Sequence, residues 1–414
     1  MFQISSLTNK AADINQNRVM EADTISNSRV KGISAQFISL KGTNSIYKIM
    51  SIIVLVMFFT IVSAQDLTIV AKDIIKRNGI PEMSFAVINR DSILILNTLG
   101  HRKISDLNEK PNANVKDFFH IGSNTKAITG FIAAYLVEKD KIKWDTKFFD
   151  LFPELKRKSN PEYYNITLED LFTHRARIQP FTSGEEFKNC PEFTGNKQEK
   201  RSKFVEFVLT VPPVESNVNY NYSNAGYSMA AVMLEKVSGK SWEELCTEIL
   251  KEKLKIDFAF GWPNRNYENQ PYGHIVDNGE LIPLPPETEY DLSLIEPAGD
   301  LSMNIENYVK FIQLNIKGLS KENTILKPET FEYLHTANNE YAIGWANNVT
   351  DRRQISSHAG SDGTFFAYTV IDREKKIGYI VMINCGSGSA QRGVGEMFNE
   401  LKKWSLTQDF NLEK

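Results

Sequence analysis

Ser123 and Lys126 stand about one helical turn apart in the run Phe-Phe-His-Ile-Gly-Ser-Asn-Thr-Lys-Ala-Ile-Thr-Gly, from Phe118 to Gly130. Residues at this spacing share a helix face, so the hydroxyl and the amine can meet. A serine beside an amine is a workable activated nucleophile. Gly122 punctuates the chain, and Ile128, Phe131, Ile132, Tyr135 and Leu136 then recur with the period of an amphipathic helix. Ser123 is therefore predicted at or near a helix N-terminus, where unpaired N–H groups and the helix dipole favour developing negative charge. A bare Ser-x-x-Lys is equally the signature of a serine cap followed by a solvated lysine. Partners elsewhere in the chain must decide.

Two other stretches carry such partners. Tyr222-Ser223-Asn224 lies in a Pro- and Asn-rich loop leading into a helix expected over 225–237, and His358-Ala359-Gly360-Ser361 comes just before a strand expected over 364–371. A phenol, a carboxamide and an imidazole on loops at the ends of regular elements can carry protons and orient a substrate.

The elements that must hold these residues follow from periodicity. A helix is expected over 66–78, then strands over 83–89 and 92–98 joined at Arg90-Asp91. A helix opens at the Thr167-x-x-Asp170 capping pattern, and another at Ser241-x-x-Glu244 after a cap at Gly239. The charged segment 182–203 reads as a surface insertion, and 257–290 as a loop with small strands. Helices over 305–316 and 392–404 flank a hairpin over 364–383. Hairpins at both ends with helices between predict an α+β fold: an antiparallel sheet from about 66–118 and 295–410, and a helical lobe over about 120–290.

Composition narrows the function. Hydrophobic residues make up 42% and charged residues 24%, and the net charge is −3 with no long basic run. That argues against nucleic acid as a partner. Three cysteines without a C-x-x-C pair support neither a disulfide framework nor a zinc ribbon, and the six histidines form no H-E-x-x-H helix. No metal and no cofactor is expected. A Gly-x-Ser-x-Gly elbow is absent, as is G-x-G-x-x-G after a strand. Gly239-Lys240-Ser241 lacks the earlier glycine of a phosphate loop, since Leu234 stands there.

Residues 1–48 are polar and without periodicity, and no fold is read there. Ile49 to Ala64 is free of charge and ends Val62-Ser63-Ala64-Gln65. Small residues at those positions suit a signal peptidase, so 49–64 reads as a signal peptide with the mature chain starting at Gln65. The alternative is an uncleaved membrane anchor, although the run is short for a span of about 18–20 residues. A hydrolase domain is expected over 65–410, exported to the periplasm or exterior, with membrane contact only if 49–64 stays in place.

With Ser123-x-x-Lys126, Tyr222-x-Asn224 and His358-x-Gly360 in this order, the chain resembles the serine β-lactamase and penicillin-binding-protein superfamily, nearest its class C-like branch of carboxypeptidases, aminopeptidases and esterases. Leu171-Phe-Thr-His174 and Pro297-Ala-Gly-Asp-Leu301 add to the likeness. The resemblance implies a β-lactamase/transpeptidase-like fold, an antiparallel sheet flanked by helices with an all-helical lobe. It implies catalytic roles for Ser123, Lys126, Tyr222 and Asn224, an oxyanion hole from the N–H groups of Ser123 and Ser361, and substrate contacts at His358 and Gly360. The implied reaction is cleavage of an ester or amide, whether peptide, small ester or β-lactam, through a Ser123 acyl-enzyme. Lys126 and Tyr222 are rival bases. The alternative is a membrane-anchored covalent penicillin-binding sensor without turnover.

Two departures bear on substrate. His358 stands where β-lactamases carry Lys, and an imidazole is mostly neutral near pH 7. Arg177 replaces a turn glycine after His174, which makes Arg175 or Arg177 a candidate carboxylate clamp.

Overall fold

The computed structural model describes residues 64–215, 220–350 and 353–408. The expectations for residues 1–48 and for the leader before Ala64 lie outside them. Among the described residues no helix is long and apolar enough to cross a membrane.

The N-terminal part forms helix α1 (Ala64–Asn78), strand β1 (Glu82–Asn89) and strand β2 (Ile93–Gly100). Short strand β3 (Phe118–His120) leads to helix α2 (Thr125–Glu138). The lobe follows as α3 (Leu168–Phe172), α4 (Lys197–Val208), α5 (Asn224–Ser238) and α6 (Trp242–Cys246). Next come β4 (Ala259–Phe260), the hairpin β5 (His274–Asp277) and β6 (Glu280–Pro283), and the single turn α7 (Glu296–Gly299). The chain closes with β7 (Leu301–Asn304), α8 (Ile305–Leu319), α9 (Pro328–Thr336), β8 (Ala346–Thr350), β9 (Arg353–Ser361), β10 (Phe366–Asp372), β11 (Ile377–Ile383) and α10 (Gly388–Leu406).

Six strands form one antiparallel sheet in the order β2-β1-β11-β10-β9-β8. The central strands read as continuous apolar runs because both faces are covered. Met83, Phe85 and Val87 pack with Leu67, Ala71 and Ile74 of α1 and with Val394, Met397 and Leu401 of α10. Ala86 and Ile88 point the other way, into the core that holds Phe131 of α2 and Phe311 and Ile312 of α8. The two-residue period of a strand accounts for this division. The lobe gathers around α5, whose Ala225 and Tyr227 and the run Met229–Leu234 are buried. Its ends are set as the sequence suggests: Ser223 accepts from the Gly226 N–H at the start, and Gly239 ends it at φ 70°. The expected capping boxes at Thr167–Asp170 and Ser241–Glu244 both form.

A three-stranded sheet, β3-β7-β4, joins sheet and lobe. It supports the Ser123 turn directly, since the Ile121 N–H donates to Leu301 O at 2.9 Å.

Two local expectations change. The segment 182–203 is not only surface: it includes the first half of α4, with Arg201 fully buried against Glu235 at 2.6 Å. His358 precedes β10 as expected, but its own segment is also a strand, β9, in register with Thr369 of β10.

Candidate active site

Ser123 occupies the 3₁₀ turn Gly122–Asn124, which runs straight into α2. The end of β9 lies against this turn so closely that two positions exclude any side chain. Gly122 has φ 51°, and a Cβ there would fall 2.4 Å from Ser361 N. At Gly360 a Cβ would fall 2.1 Å from Ile121 O and 2.7 Å from Ser123 N. Backbone contact of this kind requires glycine. It brings the main-chain nitrogens of Ser123 and Ser361 to one junction beside the Ser123 side chain.

Lys126 follows one turn into α2 and is fully buried. Its Nζ donates to Asn224 Oδ1 at 2.6 Å and to Ala298 O at 2.8 Å, and lies 3.3 Å from Ser123 Oγ. Two of these partners are carbonyl oxygens, which only accept. The third position of the nitrogen faces the Ser123 hydroxyl, with a proton when the amine is charged and a lone pair when it is neutral. Burial pushes the amine well below the ordinary lysine value, toward the neutral form that can accept the serine proton.

Asn224 is the first residue of α5, placed by the Ser223 cap. Its Oδ1 accepts the hydrogen bond from Lys126 Nζ and its Nδ2 donates to Phe181 O at 3.0 Å, so the carboxamide is held at both ends. Tyr222 lies beside Ser123, and the Lys126 Nζ is 4.6 Å from its ring centroid. Burial drives the phenol far above its ordinary value, although the neighbouring Ser123 acts to lower it. It therefore remains a proton-bearing hydroxyl that can relay, and a phenolate base is disfavoured.

His358 reaches the same site but offers no positive charge. Its ring is buried, Nδ1 donates to Ala359 O at 2.8 Å, and Nε2 accepts from the Tyr341 hydroxyl at 2.7 Å. Burial, with the nearby Lys126 charge adding to it, depresses the imidazole to about 3. Neither arginine stands free to replace it. Arg177 keeps the left-handed turn at φ 56°, and its guanidinium pairs with Glu162 at 2.7 Å and with Val214 O at 2.8 Å. Arg175 binds Thr173 O at 2.8 Å and lies 3.5 Å from Glu340.

The spacing of motifs could not reveal Tyr341, which caps His358 and stands 4.6 Å from the His174 ring centroid. His174 fastens the tyrosine loop by accepting from the Ser223 N–H at 3.1 Å, with its ring 4.4 Å from that of Tyr222.

A family model described as Beta-lactamase matches residues 69–399. Among curated relatives, the chain is 20% identical to Protein flp of Staphylococcus aureus (strain MW2) over 343 residues, 78% of this chain and 64% of that one. It is 24% identical to the unguisins hydrolase ungD' of Aspergillus campestris over 324 residues, 72% of this chain and 57% of that one. The chain thus spans less than two thirds of the length of these relatives. The fold is shared with an octameric penicillin-binding protein homologue from Pyrococcus abyssi, with TM-score 0.65 and 21% identity over 82% of this chain and 77% of that one. It is also shared with the crystal structure of SurE, with TM-score 0.66 and 16% identity over 83% of this chain and 76% of that one.

Proposed function

Because the chain belongs to the Beta-lactamase family, a family of hydrolases, we propose that it cleaves an ester or amide through an acyl-enzyme on Ser123. The Ser123 oxygen bonds to the carbonyl carbon while its proton passes to the neutral Lys126 Nζ. The N–H groups of Ser123 and Ser361 receive the negative charge that develops on the carbonyl oxygen. The proton then reaches the leaving oxygen or nitrogen through the Tyr222 hydroxyl as the acyl bond to that group breaks. Water splits the resulting serine ester and restores the enzyme. The observation that carries this reading is the threefold environment of Lys126 Nζ, two carbonyl oxygens and the Ser123 hydroxyl.

The substrate we assign is a neutral acyl group. His358 is neutral and turned onto Tyr341, so the residue beside the site presents no cation to a carboxylate. An uncharged p-nitrophenyl ester should have the lower KM against its hemisuccinate analogue, by about tenfold or more, the difference that a missing charge-assisted hydrogen bond makes. A lower KM for the charged ester would overturn this assignment. The charge-free run from Ile49 to Ala64 supports export of the enzyme.

Intact-mass measurement tests the central step. A fluorophosphonate should add once to the protein and not to Ser123→Ala, and p-nitrophenyl acetate should be turned over. An adduct that survives Ser123→Ala removes Ser123 as nucleophile. A stable acetyl adduct without turnover instead makes the chain a covalent acceptor.

A further inference from the structure

Directly behind the nucleophile's turn lies a group of ionisable side chains that the reaction above does not use. His120 ends β3 and is fully buried. Its Nε2 lies 3.0 Å from Asp300 Oδ1, and its Nδ1 lies 3.6 Å from Asp362 Oδ2 and 3.3 Å from the nitrogen of Gly122. Each contact leads to a different part of the site. Gly122 precedes Ser123. Asp300 follows the turn whose Ala298 O holds Lys126. Asp362 follows Ser361 and fixes the bend beyond it, accepting from the N–H groups of Thr364 at 2.8 Å and Phe365 at 2.7 Å and from Trp262 Nε1 at 2.6 Å.

We propose that His120 is the positioning residue of the oxyanion site, one imidazole that sets the Ser123 turn, the Ser361 bend and the Lys126 support relative to one another. The proposal rests on Ser123 being the nucleophile. Packing alone does not call for this arrangement, because burying an imidazole between two carboxylates carries a desolvation cost that an apolar side chain would avoid.

The ring also has two hydrogen-bonding states. When neutral with its proton on Nε2, it donates to Asp300 and accepts the Gly122 N–H at Nδ1. When protonated, Nδ1 donates toward Asp362 and can no longer accept from Gly122. Burial opposes protonation, but Asp362 and Asp300 outweigh it and hold the pKa above the usual value for histidine. Those two carboxylates are the charged groups that face the ring, from the β9–β10 bend and the α7–β7 junction. Phe365 packs beside it with ring centroids 6.4 Å apart. Lys197 and Glu296 also interact electrostatically with Asp300, and the Tyr290 hydroxyl donates to Asp362 O at 3.3 Å.

The test compares His120→Leu, which removes every polar contact, with His120→Asn, which keeps an acceptor near the Gly122 N–H. With p-nitrophenyl acetate, His120→Leu should lower kcat about tenfold to hundredfold with KM little changed, as expected for misplacement of reacting groups by a fraction of an ångström. His120→Asn should recover much of that loss. The pH profile of kcat should lose one inflection in both variants and keep the one that belongs to Lys126. Unchanged kcat and pH profile in His120→Leu would overturn the proposal. So would a loss that follows the fall in Tm and is not relieved by Asn, which marks a purely structural role. A wild-type protein inert to both ester and fluorophosphonate overturns the Ser123 reading and this proposal together. An active wild type with unaffected variants overturns this proposal alone.

Discussion

Lys126→Met should reduce kcat for ester hydrolysis by about 10²–10⁴-fold, the usual contribution of a positioned general base. Methionine is close in length and flexible enough to fill the buried channel. What disappears is the nitrogen that links Asn224 Oδ1, Ala298 O and the Ser123 hydroxyl. The pH dependence supplies a second check. The base works only without its proton, so acylation should rise with pH and level off below the ordinary lysine range, because burial lowers the Lys126 pKa. That rising limb should be missing from the variant. Stability follows the same linkage. Between the lowered pKa and about 10.4 the unfolded chain binds a proton that the folded protein has released, so stability increases with pH across that window. Denaturant unfolding at several pH values should show this slope in the wild type and a smaller one in Lys126→Met. Retention of both kcat and the rising limb would transfer the role of base to another group.

Gly360→Ala should be nearly as damaging, although it adds a single methyl group. That methyl would meet Ile121 O at 2.1 Å, Ser123 N at 2.7 Å and Asn124 Nδ2 at 2.8 Å. Asn124 cannot easily give way, because its side chain bonds Ile121 O and Ala367 O and accepts from the Tyr308 hydroxyl. The end of β9 must therefore move off the turn and take the Ser361 N–H with it. Loss of one oxyanion donor typically costs about 10²–10³-fold in kcat, and overpacking about 1–3 kcal/mol in stability. Fluorophosphonate labelling rates and thermal melts measure the two effects separately. A labelling rate within about threefold of wild type would show that the junction tolerates displacement.

The parts of the site that were legible in the sequence share one property: their geometry is local. Ser123 and Lys126 meet because one helical turn separates them, and Asn224 is aimed by the Ser223 cap beside it. The antiparallel sheet was legible for a similar reason, since the hairpins over 82–100 and 366–383 carry alternating or continuous apolar runs. What escaped depends on distant register. His120, Asp300 and Asp362 meet only because β3 pairs with β7 and β9 ends against the Ser123 turn. His358 was expected to be neutral, but the burial and the Tyr341 hydrogen bond that fix that state were not legible, since no spacing rule connects those two residues. Arg201 misled for the opposite reason. Its segment is rich in charge, yet its guanidinium is buried with Glu235 and Glu243, and such pairing is invisible without the fold.

The sheet has a consequence for when activity can first appear. Met83 of β1 is in register with Ile383 of β11, and α1 packs beside α10. The first strand of the sheet therefore waits for nearly the whole chain before it gains its central neighbour. Pairings so distant in sequence close late in folding, because the intervening loop must be ordered first. A ribosome-bound chain that lacks β9 to β11 has a serine and a lysine but no Ser361 beside them. The reactivity proposed for Ser123 therefore depends on the arrival of the last strands, which bring Ser361 to it.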